Sequence, residues 1–171
     1  MNADELRRMQ APLKERYRAD PATAIVKLRA AGQVQVDRIA CRVETPRGPV
    51  DGGLHQAAGG DGTLACSGDM LLETLVACAG VTLGAVATAT GIELATARVE
   101  AEGVIDFRGT LGVAKDAPVG FKEIRLRFTL RTSAPRERID RLIQTTERYC
   151  VVLQTLVQSP AVHVETVVDA A

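Results

Sequence analysis

The soft nucleophiles of this 171-residue chain are four cysteines, Cys41, Cys66, Cys78 and Cys150. None forms a C-x-x-C pair, and the only histidines are His55 and His163. That spacing does not offer the close ligand set of a zinc site, so no metal is expected. Cys78 and Cys150 stand apart because each lies in an apolar, helix-like stretch. If those two helices pack side by side, the thiols can meet. A buried thiol pair suits one reaction class: a thiolate attacks a peroxide oxygen, and the second thiol captures the sulfenic acid as a disulfide. Burial alone raises a thiol pKa, so the attacking sulfur needs a cation beside it. Arginine fits, being always charged and able to hydrogen-bond the peroxide, with a carboxylate to hold it in place. The alternative for either cysteine is inert core filling.

Positioning Cys78 falls to the stretch from Gly68 to Thr90. No charged residue lies between Glu73 and Glu93. Met70, Leu71, Leu75, Val76, Cys78, Val81, Leu83 and Val86 go round the whole cylinder, the pattern of a helix buried on every side. Ala77, Ala79, Gly80, Gly84 and Ala85 would let other backbones come close. The uncharged run is long enough to span a membrane, but Thr and Gly dilute it and no Trp or Tyr flanks it, so a buried central helix is expected instead. Ser67 or Asp69 is placed to cap it, with its end near Gly91.

The rest of the chain reads as shorter elements. Asn2 with Glu5 forms a capping-box pattern ahead of a helix bearing Leu6, Met9, Leu13 and Tyr17, with a kink or break expected at Pro12. This makes residues 1–21 a helical extension, an amphipathic appendage lying on a partner surface, and 22–171 the main domain. Residues 24–30 alternate, Gly32 marks a turn, and residues 34–43 alternate again with a skip from Val36 to Ile39; together they suggest a bulged hairpin. Cys41 falls among its core positions. Residues 51–63 form a Gly-rich loop that brings Arg47 and His55 to a point just before the central helix, without a phosphate-loop pattern. Residues 95–107 and 124–131 alternate as strands. A helix follows from about Pro135, a second short one carries Cys150, and Val162, Val164 and Val167 suggest a final strand. Two apolar helices and several strands, with crossings too short for βαβ repeats, make an α+β domain.

Composition narrows the function. Lysine plus arginine numbers 21 and aspartate plus glutamate 21, giving no net charge, and aromatics are 3 % of the chain. Neither a nucleic-acid surface nor a polybasic membrane contact is expected. The charged N-terminus shows no secretory signal, so a cytoplasmic protein with reduced thiols is the default.

A Gly-Gly-Asp-Gly loop followed by Ser-Gly-Asp-Met-Leu-Leu-Glu-Thr-Leu-Val-Ala-Cys-Ala-Gly resembles the opening of the central helix in the OsmC/organic hydroperoxide resistance family. Tyr149-Cys150-Val151-Val152-Leu153-Gln154-Thr155-Leu156 matches the family's second mark, a cysteine leading a short apolar helix. The resemblance covers roughly residues 22–168. It implies a strongly curved antiparallel sheet, two central buried helices and an intertwined homodimer. It further implies reduction of an organic hydroperoxide with no cofactor and an external dithiol as reductant. By position Cys78 matches the attacking thiol and Cys150 the resolving one. Asp69 matches the carboxylate, with Glu73 as substitute, and Arg47 is the best-placed arginine, ahead of Arg38 and Arg42. Val151 stands where the family commonly has Pro. Cys66 is an addition near the expected pocket mouth, either a competing resolving thiol or unreactive. The other reading is a non-catalytic dimer of the same fold that binds a small apolar ligand or serves structurally.

Overall fold

The computed structural model describes residues 1–169; the last two residues of the expected 22–171 domain lie outside them. Its centre is α2, Ser67–Thr90. Leu75, Ala79, Leu83 and Ala87, four residues apart, form its buried stripe. Around Leu83 and Ala87 the core takes in Ile92 and Leu142, and around Leu75 and Ala79 it takes in Cys150. The expectation of burial on every side is not met within one chain: Val81 is 75 % exposed and Leu71 sits at the surface. A helix this apolar and this long passes the length and composition test for crossing a membrane. Here its buried stripe faces protein, because the flanking elements cover that side only.

Both ends of α2 are set by local chemistry. Cys66 occupies the N-cap without a side-chain cap bond, so Ser67 and Asp69 lie in the first turn rather than capping it. At the other end Gly91 takes a left-handed φ of 63°, which glycine adopts without strain, and Arg138 donates to the Thr90 carbonyl at 2.7 Å.

Two strands and two helices pack along the buried stripe. β5, Thr96–Ile105, and β6, Phe121–Arg131, form an antiparallel ladder. The half-buried Ile124, Leu126, Phe128 and Leu130 alternate along β6 with exposed Arg125, Arg127 and Thr129. α4, Arg136–Tyr149, and α5, Val151–Val157, meet at Cys150, which is the C-cap of one and the N-cap of the other. Between the strands, α3 is a single turn, Phe107–Thr110.

A second sheet holds four strands in the order β1-β2-β3-β4: Gly32–Gln35, Ala40–Val43, Val50–Gly53 and Ala65–Cys66. The last pair is parallel and the others antiparallel. The strands thus divide between two sheets in one chain, within the α+β class expected. The hairpin is displaced from its expected place. Residues 36–39 are its turn rather than a bulge, because Gln35 pairs with Ala40, and Ile39 at φ 50° makes the reversal. A β-branched residue rarely holds that angle.

Residues 26–31, and 158–169 including the expected final strand, carry no regular element. Their apolar side chains are exposed, Leu28 at 91 % and Val164 at 90 %. Among the described residues neither segment pairs with a strand. α1, Ala3–Ala19, has the Asn2–Glu5 capping box with bonds of 2.8 and 2.9 Å. It runs through Pro12 without a break and packs against α2 of its own chain, with Leu6, Gln10 and Tyr17 half-buried.

Leu75 is fully buried at the centre of this packing. Leu75→Ala is expected to cost about 2–5 kcal/mol in denaturant unfolding, from lost transfer energy plus the cavity left behind. A loss under about 1 kcal/mol would show that α2 is not the centre of the core.

Candidate functional site

Cys78 lies on α2, one residue before Ala79 of the buried stripe, and Cys150 lies at the junction of α4 and α5. The fold brings the two thiols together in one cluster with Leu75 and Ala79, walled by Val99, Leu126, Val152 and Leu156. Cys150 is completely buried, while Cys78 is partly open. Both are free thiols.

Their electrostatics diverge. Burial pushes the Cys78 thiol up, but the Val152 amide, the Cys150 thiol and the Val151 amide outweigh it, leaving Cys78 below the ordinary thiol range. Those amides belong to the first turn of α5, whose N–H groups have no partner within the helix. The Thr82 hydroxyl also lies near Cys78, but it has one proton and donates it to the Cys78 carbonyl at 2.8 Å, so we assign the lowering to the amides and Cys150. Cys150 moves the other way. Burial raises it, the Leu153 amide works against that, and the neighbouring Cys78 adds to the rise. Cys78 is therefore the more acidic thiol of the pair and Cys150 the less acidic.

The arginine expected at this place is not there. Arg47 sits in the exposed turn after β2; its backbone N–H donates to Thr45 Oγ1 at 3.3 Å, and its guanidinium joins no ion pair among the described residues. Arg42 is held bidentate on Asp51 at 2.8 and 2.9 Å, and Arg38 reaches the same carboxylate at 4.0 Å. No guanidinium of this chain contributes to the Cys78 shift. Asp69 and Glu73 are exposed on α2 and join no ion pair among the described residues. The reason is topological: Arg42 on β2, and Arg38 and Arg47 in the turns flanking it, belong to the other sheet, away from the α2–α5 contact. The signal that sequence reasoning missed is the first turn of α5. It could have been found, since a cysteine opening a short helix announces free amides beside it.

Cys66 does not join the pair. From residue 66 to residue 78 along α2 is about 18 Å at 1.5 Å per residue, too far for the thiols of one chain to meet. It lines a separate cavity with His55 and Asp69. His55 accepts from the Ala57 amide at 3.0 Å through Nδ1 and stacks on Phe107, with ring centroids 4.9 Å apart. Cys41 faces Gly32 across β1 and β2. Among the described residues no cluster of three or more His, Cys, Asp or Glu could hold a metal ion.

The family model described as OsmC-like protein matches residues 60–165, which span α2, both central strands and the two C-terminal helices. An OsmC-like protein from Mycoplasma pneumoniae has a similar crystal structure, with a TM-score of 0.65, 17 % identity, and coverage of 78 % of this chain and 89 % of that one. An organic hydroperoxide resistance protein OsmC from Legionella pneumophila gives 0.60 at 17 % identity, covering 78 % and 93 %. The organic hydroperoxide resistance protein OhrB of Bacillus subtilis gives 0.54 at 17 %, covering 78 % and 93 %. No curated protein matches the chain. At these identities the solved structures establish a shared fold, and the family match, over more than half of the residues and including both cysteines of the pair, establishes kinship: the chain belongs to the OsmC family.

Proposed function

We propose that this protein is a thiol-dependent peroxidase that reduces organic hydroperoxides in the cytoplasm as a defence against oxidative stress. The observation that carries the reading is the contact of two free thiols shifted in opposite directions. The partly open Cys78, as thiolate, attacks the distal oxygen of ROOH; the O–O bond breaks, Cys78 becomes a sulfenic acid, and the alkoxide takes a proton to leave as ROH. Cys150 then attacks the Cys78 sulfur, forming the disulfide and releasing water. An external dithiol reduces that disulfide, becoming oxidised itself. Apolar walls favour an apolar R group. Two solved neighbours that are organic hydroperoxide resistance proteins support the substrate class.

The amides of α5 do part of the work assigned to an arginine, without its ability to bind the peroxide. A guanidinium from a second copy of the chain would complete the site. Exposed apolar side chains on residues 25–31 and 158–169, together with the uncovered Val81 face of α2, support a homodimer. Sedimentation velocity is expected to give a dimer, and Val81→Asp to shift it towards monomer; a wild-type monomer at every concentration would refute the assembly.

The second reading, a non-catalytic member of the fold, is favoured by the missing arginine alone. Stopped-flow oxidation by cumene hydroperoxide separates the two. Cys78→Ser is expected to lose consumption by at least about 100-fold, and Cys150→Ser to react once and stop, since the resolving thiol is gone. Equal, slow consumption by all three proteins would favour the non-catalytic reading.

The pair's acid–base order gives a further check. A thiol reacts as its thiolate, so a lowered pKa moves the alkylation profile to lower pH and a raised one to higher pH. Site-resolved iodoacetamide labelling is expected to place the Cys78 midpoint below that of an ordinary thiol and below that of Cys150. A reversed order would contradict the assignment of attacking and resolving thiols.

A further inference from the structure

The break between α4 and α5 redistributes backbone hydrogen bonds beside the thiol pair. Cys150, with φ −74° and ψ 104°, is extended and so ends one helix and opens the next. Two bonds of a helical ladder persist across it: the Cys150 amide donates to the Thr146 carbonyl and the Gln154 amide to the Cys150 carbonyl, each at 2.9 Å. The rung between them is exchanged. In an unbroken helix the Glu147 carbonyl would accept from the Val151 amide. Among the described residues that bond is not made. The Val151 amide bonds the Cys78 sulfur instead, as does the Val152 amide.

The vacated carbonyl finds another donor. Nε2 of the half-buried Gln154 donates to Glu147 O at 2.9 Å, seven residues back along the chain. Gln154 thus holds Cys150 through its main chain and Glu147 through its side chain, tying α5 to both sides of the break. Without that side-chain donor, the Glu147 carbonyl would draw on the Val151 amide, the donor a straight helix gives it, and pull that N–H off the sulfur. Thr155 makes the contrast. Its hydroxyl donates to the Val151 carbonyl at 2.9 Å, a bond within α5 that does not reach across the break. Among the described residues Cys150 is the one titratable group acting on Cys78, so no charged side chain of α4, β5 or β6 masks the effect of the amides.

We propose that Gln154 is a positioning residue: by occupying the Glu147 carbonyl it keeps the Val151 amide turned to the Cys78 sulfur. The inference deepens the peroxidase reading and rests on it for its catalytic meaning, since there Cys78 is the attacking thiol. Gln154 touches neither sulfur in this role. It acts through the backbone of the turn that it holds bent.

Site-resolved iodoacetamide labelling of the reduced full-length protein across pH, without peroxide, tests the role. Gln154→Met keeps the length of the side chain and removes the donor; Gln154→Asn keeps the amide but withdraws it by a methylene. Each is expected to move the Cys78 midpoint up by at least about half a pH unit, slowing its labelling about threefold at a fixed pH below the midpoint. Thr155→Val, which removes a bond from the same helix without freeing Glu147, is expected to leave the Cys78 profile in place. By NMR, the Val151 amide proton is expected to follow the Cys78 titration in the wild type and to lose most of that response in Gln154→Met. An unshifted Cys78 profile in both Gln154 variants, an equal shift in Thr155→Val, or a wild-type Val151 amide that ignores the titration would each overturn the proposal. Peroxide consumption is read separately. A wild type inert to cumene hydroperoxide would overturn the peroxidase reading and leave the labelling result standing, whereas unshifted labelling in active Gln154 variants would overturn only the role of Gln154.

Discussion

One contact governs this structure: the sulfur of Cys78 against that of Cys150, where the middle of α2 meets the start of α5. Both sulfurs sit against Leu75 and Ala79, so the packing that stabilises the domain also sets the distance between the thiols. Packing of this kind holds two free thiols in one cluster.

The same contact explains how the pKa of the half-buried Cys78 thiol comes to lie below its ordinary value. Desolvation works against charge, yet the helix that carries Cys150 begins with amides that nothing else satisfies. Cys150 and the amides that lower Cys78 thus arrive on one element. Docking α5 onto α2 makes the pair and tunes it in a single step. Membership in the OsmC family places this arrangement within a fold whose other members include proteins of organic hydroperoxide resistance.

Much of this was legible in the letters because the period was strong. The alternation at residues 124–131 became β6, the Asn2–Glu5 box became a formed cap, and the uncharged run became α2. Both pair cysteines could be singled out, since each interrupts an apolar helical stretch. What failed depended on long-range partners. Arg47 precedes α2 in sequence, but it belongs to the turn after β2, and sequence order says little about which sheet a turn joins. The all-round apolarity of α2 implies burial on every side, whereas within one chain the Val81 face remains open. Residues 25–30 and 162–167 alternate like strands but pair with none among the described residues, since a pattern alone does not supply the second edge that pairing needs. The Gly32 turn was misplaced for a related reason: the corner fell on Ile39, a residue that rarely adopts a left-handed angle.

The central claim is that oxidising equivalents entering at Cys78 end in a bond to Cys150. Treating the reduced protein with limiting cumene hydroperoxide, quenching with acid and mapping disulfides by mass spectrometry of the unreduced digest tests it most directly. The account expects one dominant cross-link, joining the peptides that carry Cys78 and Cys150, with Cys41 and Cys66 still free. A cross-link through Cys66, or overoxidised Cys78 with Cys150 left as a thiol, would contradict it.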